Sequence, residues 1–229
     1  MTTEQKIEAI KEAIEKAEIF QSKLTPEVIG VPFLGSLKIR ALLNNIGELA
    51  THFMEIGSHK SGSCCSTVFN NENIKTITVI DSWESDEANE DKAFPQFMAN
   101  TQQFKPVGSE LNVIVGDCWG VDLSLIPYKI DLYSYDAGHS REDQKNALLY
   151  YGDVLADEFI YCCDDWTYQE VKQGTLEGIK EGGYEVLFER ELLNPDGFPE
   201  DAHLNDHWWR GYAVFLLKKK PIKKKKASK

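Results

Sequence analysis

The chain has 229 residues, a length suited to one domain, and an apolar fraction of 42% that can supply an ordinary globular core. It contains no uninterrupted apolar run of the roughly 18 residues a membrane span needs, which excludes a transmembrane helix. Its five cysteines, Cys64, Cys65, Cys118, Cys162 and Cys163, are odd in number, and four lie in adjacent pairs with no C-x-x-C spacing, which argues against a disulfide framework or a zinc site of that type.

The polar start, Met1-Thr2-Thr3-Glu4, does not read as a signal peptide, and reduced thiols predict a cytoplasmic protein. The formal charge of −12 is unevenly spread. Residues 218–229 hold eight lysines and no acid, and they read as a disordered, solvated tail that can also touch polyanions. The remaining 1–217 carry 17 basic and 37 acidic residues, a formal −20, which makes nucleic acid an unsuitable general partner. The resulting division is an N-terminal helical cap over 1–50, a main domain over 51–217 and the tail over 218–229.

Ile7, Ile10, Ile14 and Ala17 recur at helical spacing and predict an amphipathic helix of about five turns. Residues 21–35, with Pro26 and Pro32, read as a connector. A second helix is expected from Ser36, with Leu37, Leu42, Leu43, Ile46 and Leu49 on its apolar side. These helices cap the sheet by simple packing or act as a lid over a substrate; they also offer a surface for a second copy of the chain.

From residue 52 the pattern alternates. Strands are predicted at 52–56, 76–81, 111–115, 130–135, 159–163, 184–189 and 212–217. Helices are predicted at 64–69, 89–104 (bent or started near Pro95), 140–155 and 167–180. Strand–helix alternation predicts a parallel sheet with helices on both faces. No helical pattern separates the last two strands, which predicts an antiparallel pair joined by a polar, aromatic-bearing insert over 190–210.

The chemistry-bearing residues fall where strands stop, the ends that form the ligand crevice of an open α/β sheet. Glu55-Ile56-Gly57 leads into the small-residue turn Ser58-His59-Lys60-Ser61-Gly62-Ser63, where a backbone can approach a ligand and a helix offers free N–H groups. Asp81 ends the second strand, 19 residues past Gly62, where an acid can accept ribose hydroxyls. The turn is not G-x-G-x-x-G, which points away from NAD toward another adenosine ligand. Purely steric turns of this kind are also common. Asp117, after Gly116, can accept from an adenine amino group or cap the following segment as an Asx turn.

The fourth strand ends in Asp136-Ala137-Gly138-His139-Ser140 and the fifth in Asp164-Asp165. Three carboxylates suit a hard divalent cation such as Mg²⁺, which can hold a substrate hydroxylate and lower its pKa. His139, with an ordinary pKa near neutrality, is placed to take a hydroxyl proton. The bland alternative is that Asp164 and Asp165 cap the helix near Thr167 and His139 is a turn residue.

This series of residues resembles the class I S-adenosylmethionine-dependent methyltransferases. More narrowly, it resembles the branch of macrolide sugar O-methyltransferases of the macrocin and mycinamicin type, over about residues 36–189. The resemblance implies a Rossmann-like, doubly wound, seven-stranded and mostly parallel sheet whose last strand is antiparallel. It implies that Glu55, Gly57, Ser58 and Ser63 surround the methionine part of S-adenosylmethionine. Asp81 would meet the ribose and Asp117 and Cys118 the adenine, and Ser82, Trp83 and Asp136 would border the cofactor as well. In the metal-dependent members the matching acids, here Asp136, Asp164 and Asp165, bind Mg²⁺, and the residue matching His139 is the base. The expected activity is methyl transfer to a hydroxyl of a small molecule, a sugar or related polyol. Two competing readings are a non-catalytic binder of the same cofactor and another enzyme on the same fold.

The sequence departs from that family in two places. Ser61 stands where a second glycine is usual, with Gly62 one place later, and Ala137 stands where glycine usually follows the acid. A left-handed backbone at Ser61 would be strained. In the insert, Trp208 and Trp209 either floor an acceptor ring or anchor the insert to the sheet. Trp83 and Trp166 either wall the cofactor pocket or pack. His203 and His207, four apart, would share a metal only on a helix, which Pro199 and Gly211 disfavour.

Overall fold

In a computed structural model, which describes residues 1–84, 92–195 and 206–220, seven strands form one sheet in the order β3-β2-β1-β4-β5-β7-β6. The strands are β1 (His52–Ile56), β2 (Thr76–Asp81), β3 (Glu110–Val115), β4 (Ile130–Tyr135), β5 (Leu155–Cys163), β6 (Tyr184–Leu192) and β7 (Tyr212–Lys219). β1 pairs in parallel with β2 and β4, and β4 with β5. β7 runs antiparallel between β5 and β6, as the sequence led us to expect. The order reverses between β1 and β4, so the crevice of an open α/β sheet opens above Ile56 and Tyr135.

Helices cover both faces. α1 (Thr3–Glu18) starts at a capping box between Thr2 and Gln5. Its buried stripe of Ile10, Ala13, Ile14 and Ala17 continues into α3 (Leu37–Gly47), whose N-cap is Ser36. Together with α4 (Gly62–Val68) and α5 (Ala93–Phe104) they share a core with Phe53, Ile77, Leu132 and Leu216 of the sheet. On the opposite face α6 (Arg141–Tyr150) and α7 (Gln169–Glu181) close a second core around Tyr133, Tyr151, Phe159, Tyr161 and Phe215. The N-terminal helices are thus packed against the sheet rather than standing apart as a separate unit. Lys6 and Thr3 fix α1 at its start through Glu158 of β5, each at 2.7 Å.

Several boundaries differ from the sequence pattern. The stretch expected to be helical to residue 155 stops at Tyr150; one 3₁₀ turn follows, and Leu155 already belongs to β5. Strand pairing with β4 overrides the helical spacing there. β6 and β7 both run beyond their predicted ends because each pairs along its length, so Lys218 and Lys219 belong to the sheet rather than to a tail. The 21–35 connector contains a short helix, α2 (Pro26–Ile29), with proline in its first turn. Residues 221–229 of the expected tail, Phe198, Pro199 and His203 of the insert, and the start of the expected 89–104 helix lie outside the described residues.

Candidate active site

Two adjoining clefts open over the carboxyl ends of β1, β2, β3 and β4. The smaller, about 420 Å³, is lined by Ile80, Asp81, Ser82, Gly116, Asp117 and Cys118 among others. The larger, about 480 Å³, takes in the turn after β1, the ends of β4 and β5, and two segments from opposite ends of the chain, Pro32–Phe33–Leu34 and Trp209–Arg210. Gly57, Asp81 and Ala137 line both, so the two compartments meet at the turn after β1.

That turn depends on Gly57. Its φ is +83°, and a Cβ there would sit 1.9 Å from the carbonyl oxygen of Asp136, so only glycine lets β1 and β4 end side by side. Ser61 takes the left-handed conformation, φ 73°, with its hydroxyl 3.2 Å from the Cys65 thiol. The expected strain is therefore present. Gly62 serves a different need: a Cβ there would meet the Pro32 carbonyl at 2.4 Å, so the glycine lets the connector cross the start of α4. Backbone strain gathers here more widely. His59, Asp165 and Trp209 line the larger cleft with positive φ, and Ser61 and Trp83 flank it in the same conformation.

Asp81 is more deeply engaged than a ribose acceptor need be. Its Oδ2 accepts the backbone N–H groups of Ser58 and His59, both at 2.9 Å, and its Oδ1 accepts that of Trp83 at 2.8 Å. A carboxylate offers about four lone-pair sites. Three are used to tie the β1 and β2 turns together, which leaves one on Oδ1 for a ligand. Trp83 itself turns away from the clefts. It packs against Phe94 and Phe97 and donates its Nε1–H to the His59 carbonyl at 2.7 Å, so it supports the turn from behind. Trp166 is likewise core, edge-on to Phe215. Asp117 makes the Asx turn, accepting from Trp119 N–H at 3.0 Å, and still lines the smaller cleft beside Cys118.

Glu55 does not reach either cleft. It is wholly buried beneath the turn, and burial pushes its carboxyl up to about 8. The Ser58 and Ser63 side chains lie near enough to pull that value down, yet neither Glu55 oxygen has a hydrogen-bond partner of proper geometry, and the Ser58 hydroxyl is orphaned too. Ser63 lines the larger cleft. Buried polar groups normally have partners. Ser58, whose hydroxyl is one of these orphans, lines the larger cleft beside Ser63, so the turn fits the polar end of a cofactor without Glu55.

The ends of β4 and β5 bring the acids and the histidine together. His139 Nε2 lies 3.0 Å from Asp165 Oδ2 and 3.8 Å from Asp136 Oδ1. The imidazole pKa is raised, chiefly by Asp136, against burial, with Asp165 adding to the rise. At 3.8 Å the Asp136 oxygen is beyond hydrogen-bond reach of Nε2, so the Asp165 contact is what fixes the ring. Burial raises the Asp165 carboxyl while His139 lowers it; in either protonation state one proton lies on the 3.0 Å line. Asp164 is buried, and burial with the neighbouring Asp136 and Asp165 holds its carboxyl well above the ordinary range. Its Oδ1 accepts the Asp165 N–H at 2.8 Å.

Among the described residues, no three His, Cys, Asp or Glu side chains are arranged to share one metal ion. The imidazole sits between Asp136 and Asp165, and Arg210 acts on Asp164 and Asp165 from across the cleft. The donors have the chemistry of a Mg²⁺ seat, but in this arrangement they do not fit one. The cation that acts on Asp164 and Asp165 in this arrangement is the Arg210 guanidinium.

The walls of the larger cleft are braced from behind by residues the sequence pattern did not single out. Arg40 of α3 is buried and donates to the carbonyls of Val28, Val31 and Gly62 and to the Ser66 hydroxyl, with its guanidinium 4.7 Å from the centre of the Phe33 ring. Burial lowers it to about 10, which still leaves it charged near neutrality. It holds residues 31–33 over the start of α4. An arginine inside the apolar stretch 39–43 was the one available signal. On the other side, Trp208 donates to Glu18 Oε1 at 3.1 Å and lies under the Lys38 ammonium, while Asn194 holds both Trp208 N–H and Trp209 O. Trp208 therefore anchors the insert, and Trp209 borders the cleft with His207 stacked on it.

No protein-family model matches the sequence, and no curated protein is similar to it. Solved structures share its fold. The S-adenosylhomocysteine-bound methyltransferase of Podospora anserina matches with a TM-score of 0.56 at 13% identity, over 93% of this chain and 88% of that one. A proposed caffeoyl-CoA O-methyltransferase of Staphylococcus aureus matches with a TM-score of 0.55 at 17% identity, over 89% and 91% of the two chains. A proposed O-methyltransferase of Klebsiella pneumoniae gives 0.50 at 12% identity, over 92% and 90%. At such identities the likeness establishes the fold: a Rossmann-like sheet of the kind seen in S-adenosylmethionine-dependent methyltransferases.

Proposed function

We propose that this protein is an S-adenosylmethionine-dependent O-methyltransferase acting on a hydroxyl of a small molecule, a sugar or related polyol among them. One observation carries the reading: a nucleoside-sized compartment meets, at Gly57, Asp81 and Ala137, a second compartment that contains a histidine held by a carboxylate. The fold shared with the methyltransferases of known structure supports it. Asp117 and Cys118 would border the adenine, Asp81 and Ser82 the ribose, and Gly57, Ser58 and Ser63 the methionine end. The bound sulfonium supplies an electrophilic methyl group.

The chain's own residues do the rest. The two compartments hold acceptor and donor for an in-line displacement, where proximity and alignment supply much of the acceleration. With Nε2 held by Asp165, the other ring nitrogen of His139 takes the acceptor's hydroxyl proton as the oxygen–carbon bond forms and the carbon–sulfur bond breaks. Asp165 orients the ring and stabilises the imidazolium. Because the His139 pKa is raised, the neutral, basic ring is scarce below that value. Turnover should therefore rise with pH through a midpoint above the ordinary histidine value and then level off.

A second reading adds a divalent cation at Asp136, Asp164 and Asp165, favoured by the orphaned buried Asp165 Oδ1. It requires His139 to leave its place between the acids. Calorimetry with S-adenosylmethionine, followed by mass spectrometry of polyol and phenol acceptors with Mg²⁺ or with EDTA, tests both. Turnover that survives EDTA removes the cation, cofactor binding without any methylated product leaves a non-catalytic binder, and absent binding overturns the proposal.

A further inference from the structure

We infer that the acceptor carries an anionic group beside its hydroxyl, a carboxylate or phosphate that docks on Arg210 and Lys60. The inference rests on the methyl-transfer reading above and names the substrate class of that same site.

The body of the chain is strongly acidic, and the cleft floor adds Asp136, Asp164 and Asp165. Against that background two cations line the larger cleft, Lys60 on the turn after β1 and Arg210 on the segment before β7. The Arg210 backbone is fixed at the cleft rim. Its carbonyl accepts the Thr167 N–H at 3.0 Å and the Thr167 hydroxyl at 2.6 Å, and its guanidinium lies 5.7 Å from the centre of the Tyr168 ring. The His139 ring is 6.4 Å from the same tyrosine ring. The proposed base and the guanidinium therefore flank one aromatic side chain. Arg210 is also near enough to His139 for its charge to act against the rise in the imidazole pKa, so a proton acceptor and an anion receptor share this part of the cleft.

Phe33 and Trp209 wall the same space and suit the faces of an acceptor ring. Planar guanidinium donors match carboxylate and phosphate oxygens, and an ammonium adds a point charge. The anion takes no covalent part. It orients the ring so that a hydroxyl meets His139.

The full chain, loaded with S-adenosylhomocysteine, is titrated calorimetrically with two series of probes. One is glucuronate, glucose and glucosamine; the other is 3,4-dihydroxybenzoate, catechol and dopamine. In at least one series the acid should bind about tenfold tighter than its neutral parent, the effect of one charge-assisted hydrogen bond. Arg210→Gln should erase that preference, the acid then binding no tighter than its neutral parent, and Arg210→Lys should keep part of it. Glucose 6-phosphate in place of glucuronate separates the two anion sources: tighter binding than glucuronate marks a phosphate, weaker a carboxylate. Equal or tighter binding of the neutral or amino compound overturns the inference. So does an acid preference that survives both Arg210→Gln and Lys60→Gln, and so does silence from every probe. If S-adenosylhomocysteine fails to load, the methyl-transfer reading falls, and the same titrations on the unloaded protein still read the anion site.

Discussion

The two compartments of the crevice are built in different ways. The nucleoside side is made from strand ends and the turns that follow them, each a short continuous stretch: Ile56–Gly57, Ile80–Ser82 and Gly116–Cys118. The acceptor side joins residues 32–34, 59–60, 136–139, 164–165 and 209–210, and its outer walls are held by α3, through Arg40 on one side and Lys38 with Glu18 and Trp208 on the other. A side built from strand ends is fixed by the sheet itself. A side built from clipped segments can change its lining without disturbing the sheet. The same contrast separates what a fold keeps, the place where strands end, from what a particular chain selects, the acceptor.

The comparison can be broken at four points. The largest effect is expected for His139→Gln, which removes the base on the acceptor side alone. Turnover should fall by about 10² to 10⁴, the usual worth of a positioned base, while S-adenosylmethionine affinity stays within about twofold. A parallel loss of cofactor affinity, read by calorimetry, would show that the two sides are not separable.

Gly57→Ala strikes the junction. A Cβ 1.9 Å from the Asp136 carbonyl, on a backbone at φ +83°, forces β1 and β4 apart. A stability loss of about 3 kcal/mol or more in urea unfolding is expected, with cofactor binding lost. Glu55→Gln probes the buried layer beneath the nucleoside side. The Glu55 pKa is raised in the fold to about 8 from an ordinary value near 4.5, so the folded state keeps a proton that the unfolded chain releases. Glu55 therefore costs stability progressively as pH rises from about 4.5 to 8 and then no further. An amide in place of the carboxyl should remove that slope, leaving the variant more stable at pH 8 by roughly a few kcal/mol. Equal slopes in pH-dependent unfolding would mean the carboxyl is not held protonated. The smallest effect is Ser61→Gly: relief of the left-handed strain, offset by greater chain entropy and loss of the Cys65 contact, should raise Tm by about 1–2 °C.

Much of this was legible in the chain. The alternation of strand and helix gave seven strands in the observed roles, because buried parallel strands are short apolar runs and the turns between them carry glycine and acid. His52–Ile56 and Ile130–Tyr135 begin and end where the pattern said. The strand-end residues Gly57, Asp81, Asp117, Asp136, His139, Asp164 and Asp165 do converge on one crevice, since parallel strands bring their carboxyl ends to one edge. Less legible was what each residue does there. Nothing in spacing shows that Asp81 spends three of its lone pairs on backbone amides, that Trp83 turns into the core, or that Glu55 is buried out of reach.

What the sequence alone determined is the order and kind of the elements, and with it the edge at which a site must lie, because both follow from periodicity and from which residues tolerate turns. Only the tertiary structure decided which side chains share a space. Lys60 and Arg210 stand far apart along the chain, and their meeting in the acceptor compartment depends on how the segment before β7 packs over the sheet, while Arg40 braces the opposite wall from behind. It also decided that His139, rather than a gap shaped for a cation, lies between Asp136 and Asp165. Such proximity comes from long-range packing, which no local pattern of residues encodes.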